Sequence, residues 1–390
     1  MKLPKISLLA RALIAIILGI ACGMFFPPDL ARVFTTFNGL FGNFLGFIVP
    51  ILILGLIAPA IADLGKSAGK ILLLTIALAY AFTLFAGFFA YSATLVFIKP
   101  MLNGVNNFAA GAEGGINLAP FFTVAMPPLM DVMTALMLGF IIGLGSAITD
   151  GKMLKAAMKD LEAVVNFVIS KAIVPLLPLY IFGIFLEMTL SGQAAAAMGV
   201  FVKITIVIFL ITVVMLLIQF SIAGLVARRN PLSLLKTMLP AYATALGTQS
   251  SAATIPVTLR QTIKAGVSEE VANFVIPLCA TIQMTGSIIK VVACSMVIMI
   301  VGGMPFSPAA YSGFILMLSI TIIAAPGIPG GVVMAALGIL HSMLGFDETA
   351  LGLMIALYVA MDSFGTACNV TGDGAVAVIV DKFHKTAEAK

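Results

Sequence analysis

The sequence predicts an all-α polytopic membrane protein, with eight transmembrane helices and two oppositely oriented re-entrant hairpins that form inverted repeats. Hydrophobic residues make up 61% of the 390 residues and charged residues only 9%, whereas soluble domains carry roughly 25% charged residues. The apolar residues form continuous runs that match the about 20 residues a helix needs to cross the hydrocarbon. These runs lack the alternating pattern of a transmembrane β-barrel, so helices are predicted.

Six apolar runs precede residue 230, and each is long enough for one membrane span. They are residues 8–26, 39–62, 71–98, 130–148, 163–190 and 197–227. The first run follows basic residues, as the apolar core of a signal peptide would. No small-residue cleavage pattern precedes Pro27 and Pro28, so we interpret this run as a retained first span.

Basic residues concentrate in every second loop, which orients the predicted spans. One side carries Lys2, Lys5, Arg11, Lys66, Lys70, Lys152, Lys155, Lys159, Arg228, Arg229 and Lys236. By the positive-inside rule this side is the cytoplasm, and both termini are predicted to be cytoplasmic. The net charge of +5 is therefore explained by membrane topology and does not indicate a nucleic-acid partner.

The apolar stretch from Met238 to Leu259 has basic residues on both sides, Arg229 before it and Arg260 after it. A single crossing would put its two ends on opposite sides of the membrane, against the positive-inside rule. We therefore predict a hairpin that enters from the cytoplasm and turns back. Backbone at such a tip is tolerated only where it is buried in protein or lines a cavity. The polar tip comprises Gly247, Thr248, Gln249, Ser250 and Ser251.

A second hairpin is predicted between a span at about 270–302 and a last span at about 349–381. Residues 309–345 form two apolar arms around the sequence APGIPGG, and neither end of this stretch is basic. Two short spans or one kinked span would be the alternative. Glycine and proline supply the break at Gly327, Pro329, Gly330 and Gly331.

Residues 231–382 are thus predicted to form an inverted-topology repeat, in the order hairpin, span, hairpin, span. A cytoplasmic tail follows at 383–390. Such repeats bring broken helices together at the bilayer midplane, where their exposed dipoles bind substrate and ions. Residues 231–382 are therefore predicted to be the transport core. Residues 1–230 hold the six earlier spans.

One face of the predicted last span is polar. The spacing i, i+4, i+7 and i+11 aligns four residues on that face, namely Asp362, Thr366, Asn369 and Asp373. An intramembrane aspartate costs at least about 2.5 kcal/mol on insertion scales, so two of them indicate a functional site. Carboxylate and amide oxygens suit a hard cation, and a carboxylate also suits an ammonium group. The alternative is that these residues only bond neighbouring helices.

The span at 270–302 is interrupted by a polar pentad, Gln283–Ser287. Local unwinding there would expose backbone carbonyls that can coordinate Na⁺. Lys290 lies one turn further and is too deep to reach the interface easily, so it is predicted to face a carboxylate or a cavity. A structural pair with Asp131 or Glu187 is the alternative to a substrate role.

No motif indicates an enzyme or a cofactor. The four cysteines lack a CxxC spacing and the two histidines are isolated, so neither a disulfide framework nor a metal cluster is predicted. Ser250 and Ser251 have no His or Lys partner nearby in the sequence, and this argues against an intramembrane hydrolase. Two further hypotheses are a cation channel lined by the polar face and a carrier that uses protons at Asp362 or Asp373.

Four segments carry a family resemblance: SAATIPVTLR after the serine-rich first tip, IPLCATIQMTGS, PGIPGG and NVTGD. Through them the chain resembles the dicarboxylate/amino acid:cation symporters, also called the glutamate transporter family, from about Met130 to Phe383. The resemblance implies a homotrimer in the bacterial cytoplasmic membrane. Its mobile transport region would comprise residues 231–382 and part of 1–230. This region would move like an elevator against a trimerisation scaffold formed largely by residues 1–230, with the hairpin tips as gates. The implied substrate is a small amino acid, and Na⁺ is the coupled ion, with no other cofactor.

The resemblance also implies a role for each residue of the polar face. Asp362 would receive the substrate amino group, Asn369 its carboxylate and Thr366 its side chain, while Asp373 would ligate sodium. Further substrate contacts are implied for Gln249, Ser250, Ser251, Gly327, Ile328, Pro329 and Gly330. Further sodium ligands are implied at Gln283 and Asn369, through backbone carbonyls, and at Cys279 and Thr281.

Gly365 stands where acidic-substrate members of that family carry an arginine. This departure favours a small neutral amino acid such as serine, threonine or alanine. The alternative is an acidic amino acid or C4-dicarboxylate, coupled to Na⁺ or H⁺, with Lys290 supplying the charge. Thr285 replaces an aspartate of the family pattern and the third span lacks the expected Thr-Ser pair, so fewer coupled sodium ions are predicted.

Overall fold

The computed structural model describes residues 8–64, 70–102, 118–149, 151–192, 194–305, 307–325 and 330–388. Within these ranges the chain is helical and contains no strand. The all-α fold class that the composition and the continuous apolar runs predicted is therefore confirmed.

Long helices make up the first half of the described chain, and shorter helices make up most of the second half. The first half contains α1 Leu8–Gly23, α2 Pro28–Leu64, α3 Lys70–Ala93, α4 Val132–Thr149, α5 Lys152–Leu190 and α6 Ala194–Ala227. The second half contains α7 Pro231–Thr248, α8 Ser251–Lys264, α9 Glu269–Ile282, α10 Thr285–Val301, α11 Pro308–Thr321, α12 Gly331–Leu344, α13 Glu348–Ala360 and α14 Asp362–Glu388. Turns of π-helix extend α3 at Thr94–Ile98 and interrupt α5 at Ile169–Ile173.

Seven helical stretches of the described chain are long and apolar enough to cross a membrane. They correspond to the second through eighth predicted spans and lie in α2, α3, α4, α5, α6, the α9–α10 pair and α14. The predicted first span corresponds to α1, and the described part of the chain contains 16 residues of this helix, fewer than the about 20 that a perpendicular crossing needs. These helices support a multi-pass membrane protein, and the count of eight spans stays a prediction.

Two helices begin earlier than the apolar runs indicated. The helix α2 begins at Pro28 instead of residue 39, and its first turns contact the segment before α4, where Phe121 N donates to Thr36 Oγ1 over 2.9 Å. The helix α5 begins at Lys152 instead of residue 163, and charged residues in its first turns are exposed. Hydropathy therefore located only the apolar part of each helix.

Two helix pairs occupy the predicted hairpin segments. The helices α7 and α8 pack against one another and are joined by Gln249 and Ser250, inside the predicted polar tip. The helices α11 and α12 also pack against one another, and a 3₁₀ turn at Ile322–Ala324 follows α11. Their entry into the membrane from opposite faces stays a prediction.

Two of the predicted spans consist of two helices each. The helices α9 and α10 are separated by Gln283 and Met284, the first residues of the polar pentad, which agrees with the predicted local unwinding. The last predicted span, 349–381, was expected to be one helix, and this is wrong because the chain breaks at Met361 between α13 and α14. Asp362 thus begins α14, where the helix dipole stabilises a carboxylate.

The helix α14 lies at the centre of the fold. It packs against α6, α7, α8, α9 and α10, and its apolar part is almost entirely buried, as is that of the α9–α10 pair. The other five candidate spans bury half of their apolar part or less. The polar residues at the α9–α10 break and in the apolar part of α14 are thereby kept away from lipid, where they would be costly.

Candidate functional site

A buried ion pair joins the two broken spans. Lys290 on α10 donates from Nζ to Asp362 Oδ1 over 2.6 Å, and the two side chains are 0% and 7% exposed. The same ammonium lies 3.7 Å from the centroid of the Tyr358 ring, whose negative face attracts a cation. Lys290 therefore faces a carboxylate, as predicted. The alternative pairing with Asp131 or Glu187 is wrong, because its partner is Asp362.

The Lys290 side chain crosses the backbone at Gly365. A Cβ atom at position 365 would overlap Lys290 Cε and lie 2.7 Å from Nζ. Gly365 also packs against Gly286 on α10, where a Cβ atom would overlap the Gly365 carbonyl oxygen. The two glycines let α10 and α14 approach closely enough for Lys290 to reach Asp362. Lys290 thus fills the space into which a larger residue at position 365 would extend.

Both hairpin segments contact neighbouring residues at the start of α14. Gln249, between α7 and α8, donates from Nε2 to Ser363 Oγ over 2.9 Å. Gly330, just before α12, donates its backbone N–H to Asp362 Oδ2 over 2.8 Å. Gln249 and Gly330 have φ angles of 55° and 77°, a left-handed conformation that glycine adopts without strain and glutamine does not. The start of α14 is therefore where the two tips meet.

The remaining predicted tip residues differ in what they contact. Ser250 Oγ accepts from Ala253 N over 3.3 Å and caps the N-terminus of α8. Ser251 is the first residue of α8, Thr366 follows Asp362 by one turn of α14, and both of these side chains are buried. Three predicted contacts lie outside the residues that the structure describes: Gly327, Ile328 and Pro329.

Asn369 caps the N-terminus of α10. Its Oδ1 accepts from Gly286 N over 2.7 Å and from Ser287 N over 3.3 Å, while its Nδ2 donates to Ser287 Oγ over 2.9 Å. Backbone N–H groups at a helix N-terminus form a position suited to anions, and here the carboxamide oxygen of Asn369 fills it. A substrate carboxylate close to Asn369 would meet the same donors.

A second polar group lies further along α14, around Asp373. Asp373 is 1% exposed and lies about 16 Å from Asp362 along the helix, at 1.5 Å per residue. The acceptors around Gln283, between α9 and α10, assign its amide orientation, because only Nε2 can donate to Asn369 O, 2.9 Å away, and to Asp373 Oδ1, 3.3 Å away. Its Oε1 accepts from Gln219 Nε2 over 2.9 Å. Three predicted ion ligands, Asp373, Asn369 and Gln283, are therefore brought together.

The other two predicted sodium ligands differ in their positions. Cys279 is buried, and its backbone oxygen accepts from Gln283 N over 2.9 Å, so its carbonyl lies at the same helix break. Thr281 is exposed, and its hydroxyl donates to Leu278 O over 2.8 Å. The Thr281 hydroxyl therefore does not join the buried group around Asp373.

Some residues at the site were not selected from the sequence: Gln219, Ser363, Tyr358 and Thr83. Gln219 was detectable as an isolated amide in the apolar run of α6, and Ser363 as the polar neighbour of Asp362. Thr83 on α3 accepts from Met284 N over 3.2 Å, so one hydroxyl of the third span reaches the helix break. No sequence signal located Tyr358 or Thr83, because helical periodicity does not give the rotation of one helix against another.

Charge is balanced at Asp362 and unbalanced at Asp373. Lys290 pairs with Asp362, whereas none of the ion pairs within the described part of the chain involves Asp373. A buried carboxylate without a cation costs several kcal/mol. The group around Asp373 is therefore suited to an incoming cation, and the group around Asp362 to a ligand with little net charge.

Comparison with known proteins gives matches along nearly the whole chain. The family model described as "Sodium:dicarboxylate symporter family" matches residues 8–383. Two proteins called serine/threonine transporter SstT, from Acinetobacter baumannii strains AYE and SDF, are 29% and 28% identical to the chain. Each alignment spans 396 positions and covers 97% of this chain and 97% of the relative. The matched region includes every residue of the candidate site.

Proposed function

Because the chain belongs to the sodium:dicarboxylate symporter family, we propose that it imports a small neutral amino acid together with Na⁺. Serine, threonine and alanine are the proposed substrates. The relatives named serine/threonine transporters support a substrate of this size and charge. The observation that carries the proposal is the ion pair between Lys290 and Asp362.

The Lys290–Asp362 pair makes the proposed substrate position neutral. The ammonium is fully buried, bonded to the carboxylate over 2.6 Å, and in contact with the Tyr358 ring. A zwitterionic amino acid with an uncharged side chain adds no net charge. An acidic amino acid or a dicarboxylate would add a negative charge in a buried position, where an unpaired charge is costly. Neutral amino acids are therefore favoured.

Asp362 Oδ2 is the proposed acceptor of the substrate ammonium. This oxygen accepts the N–H of Gly330, so substrate entry requires the second tip to lift and release that bond. A substrate ammonium would replace a neutral amide donor by a charged one, and charge-assisted hydrogen bonds are stronger. The substrate carboxylate would lie toward Asn369 and the N-terminus of α10, and the tip would then close over the bound substrate.

Na⁺ is proposed to bind at Asp373, with the carbonyl oxygen of Asn369 and the backbone at the α9–α10 break. A monovalent cation would offset the charge of Asp373, and oxygen ligands suit a hard cation. Asn369 would couple the two positions, because its carbonyl faces Asp373 and its carboxamide caps α10. An ion that fixes the Asn369 backbone would thereby orient the helix N-terminus for the substrate.

The proposed cycle is an elevator movement of residues 231–382, with part of 1–230, against a trimerisation scaffold. A homotrimer in the bacterial cytoplasmic membrane, with eight spans, two re-entrant hairpins and both termini in the cytoplasm, belongs to the same proposal. It is supported by the contrast between the buried polar helices α9, α10 and α14 and the half-buried outer helices.

A second candidate is an acidic amino acid or a C4-dicarboxylate, coupled to Na⁺ or H⁺. The observation that favours it is that Lys290 crosses Gly365, the position at which acidic-substrate members of the family carry an arginine. Lys290 would then leave Asp362 and bind the additional carboxylate of the substrate. This candidate ranks second because it requires the loss of a buried 2.6 Å ion pair.

Uptake into proteoliposomes distinguishes the two candidates. Vesicles loaded with choline chloride and diluted into NaCl are expected to accumulate labelled serine above its external concentration, until a sodium ionophore removes the gradient. Accumulation of aspartate or succinate instead would support the second candidate. Accumulation driven by a pH gradient in choline buffer would replace Na⁺ by H⁺, and equilibration without accumulation would indicate a channel.

A further inference from the structure

Two buried glutamines meet beside Asp373. Gln219 on α6 and Gln283 between α9 and α10 are 0% and 1% exposed. One terminal atom of the Gln283 carboxamide is 2.9 Å from Asn369 O and 3.3 Å from Asp373 Oδ1, and the other is 2.9 Å from Gln219 Nε2. Two proposed ion ligands, Asn369 O and Asp373 Oδ1, are therefore in direct contact with the end of a side chain.

The Gln283 carboxamide can turn either of its terminal atoms toward Asp373, and the two orientations have opposite chemistry. With Nε2 toward Asp373, it donates to both oxygens, and Oε1 accepts from Gln219. Rotation about the last side-chain bond, a soft torsion with two-fold preference, exchanges the two terminal atoms. Oε1 then lies 2.9 Å from Asn369 O and 3.3 Å from Asp373 Oδ1. Three oxygens so close together repel one another unless a cation lies among them.

The Gln219 carboxamide can rotate in the same way. Its Oε1 is buried and has no hydrogen-bond partner among the described residues, although buried polar atoms are usually bonded. When both carboxamides rotate, Gln219 Oε1 takes the position of Nε2 and accepts from Gln283 Nε2. Gln283 therefore keeps a hydrogen bond to Gln219 in either orientation, which lowers the cost of changing between them.

We propose that the Gln283 carboxamide stands in for the coupled cation in the ion-free step of the cycle and becomes a side-chain ligand of the cation when it binds. In the first state the two N–H groups of Gln283 Nε2 donate to Asp373 Oδ1 and Asn369 O, so the buried carboxylate keeps a donor while no ion is bound. In the second state Oε1 faces the cation. Gln219 acts as the positioning residue for both orientations.

This inference rests on the proposed binding of Na⁺ at Asp373. It makes the Gln283 side chain a direct ligand of that ion and the Gln219 side chain the residue that positions Gln283. It also explains how the chain can hold a buried carboxylate through the ion-free step without a basic partner. The exchange of a neutral donor for an ion makes the orientation of Gln283 a direct reporter of ion binding, separate from substrate uptake.

Nuclear magnetic resonance of the full-length protein with ¹⁵N-labelled glutamine side chains tests the rotation. The chain has only five glutamines, so single Gln→Met variants can assign the five side-chain NH₂ signals. NaCl is titrated against choline chloride without amino acid. The signals of Gln283 and Gln219 are expected to move together with one apparent Na⁺ Kd, while the buried Gln261 serves as the unmoved control.

A thermal-shift titration of the same samples separates this inference from the proposed function. Stabilisation by Na⁺ with an unmoved Gln283 signal would overturn the inference and leave Na⁺ coupling intact. An amino acid that stabilises the protein while Na⁺ changes neither the melting temperature nor any glutamine signal would overturn both Na⁺ coupling and the inference.

A tethered cation provides a second test. Gln283→Lys puts an ammonium group close to Asn369 O and Asp373 Oδ1, where it would occupy the position of the cation. The folded variant is therefore expected to show no stabilisation by Na⁺. The test uses Na⁺ at about 100 times the wild-type Kd, a concentration at which binding raises the melting temperature strongly. Gln261→Lys is the matched control. It introduces the same charge in α8, near the charged C-terminal end of that helix, where the long side chain can extend toward water. Wild-type Na⁺ affinity in Gln283→Lys would overturn the inference.

Discussion

Lys290 Nζ lies 2.6 Å from Asp362 Oδ1 between α10 and α14, and both side chains are buried. The second oxygen of the same carboxylate accepts the backbone N–H of Gly330. One donor is charged and the other is neutral, and hydrogen bonds from charged donors are the stronger ones. Under the proposed function, a substrate ammonium would displace the Gly330 bond at lower cost than the Lys290 bond, and substrate binding would thereby be linked to release of Gly330.

Lys290→Met is expected to destabilise the protein by about 3–5 kcal/mol, because it leaves Asp362 as an uncompensated buried charge. Serine is expected to stabilise this variant more than the wild type, since the serine ammonium can take the position of Nζ. Unfolding of the purified protein with and without serine measures both effects.

The matched control for Lys290→Met is the double variant Lys290→Met/Asp362→Asn. It removes the buried charge together with its partner, so most of the lost stability is expected to return. Unchanged stability of Lys290→Met would contradict the ion pair. A selective loss of aspartate or succinate uptake in this variant, with serine uptake unaffected, would instead support the second candidate substrate.

Gly365→Ala is expected to lower the free energy of unfolding by about 1–3 kcal/mol, because the added methyl group overlaps Lys290. Gly145→Ala is the matched control within a helix, since a Cβ built there meets no atom within 4 Å apart from the adjoining backbone of its own helix. The control is expected to be neutral or slightly stabilising. Equal unfolding energies for the two variants would show that Lys290 does not cross position 365.

Ser363→Ala is expected to loosen the first tip, because Gln249 Nε2 loses its buried acceptor. The loss of a typical hydrogen bond costs about 0.5–1.5 kcal/mol, which corresponds to roughly 2- to 10-fold faster local hydrogen exchange. The rate of amide hydrogen exchange across residues 245–254 measures how much the first tip is loosened. Ser312→Ala, which removes a hydroxyl bonded within its own helix, should leave these amides unchanged, and an equal effect of both variants would refute the contact.

Asp373→Asn is expected to abolish Na⁺-driven accumulation of serine while the protein stays folded, because the amide cannot offset the charge of a bound cation. Size-exclusion chromatography checks the fold and proteoliposome uptake checks the function. Asp131→Asn, at an exposed acidic residue, is the control and should retain uptake. Sodium-dependent uptake by Asp373→Asn would remove Asp373 from the ion position.

The helix breaks could be predicted where each has a local signal in the sequence. Basic residues such as Arg229 and Arg260 flank the first tip, and glycine and proline mark the second. The break at Met361 was missed because the apolar run that precedes it continues directly into the polar face of α14. Hydropathy describes which residues avoid water, and it does not show where a helix ends inside the membrane.

The partners within the site could not be predicted in the same way. Asp362 lies 72 positions from Lys290 in the sequence, and a helical pattern does not show which faces of two helices meet. The resemblance selected Asp373, Asn369 and Gln283 for the ion, and the structure brings them together. Gln219 stood out as an isolated amide in an apolar helix, but such an amide does not show which residue it contacts.

The most direct test of the neutral amino acid proposal is the thermal stabilisation of the purified protein by amino acids and dicarboxylates, in NaCl and in choline chloride. A ligand at 100 times its Kd stabilises the folded state by about 2.7 kcal/mol. Serine, threonine or alanine is predicted to raise the melting temperature only when Na⁺ is present. A rise with aspartate or succinate and none with serine would contradict the neutral substrate, and an equal serine effect in choline chloride would contradict coupling to Na⁺.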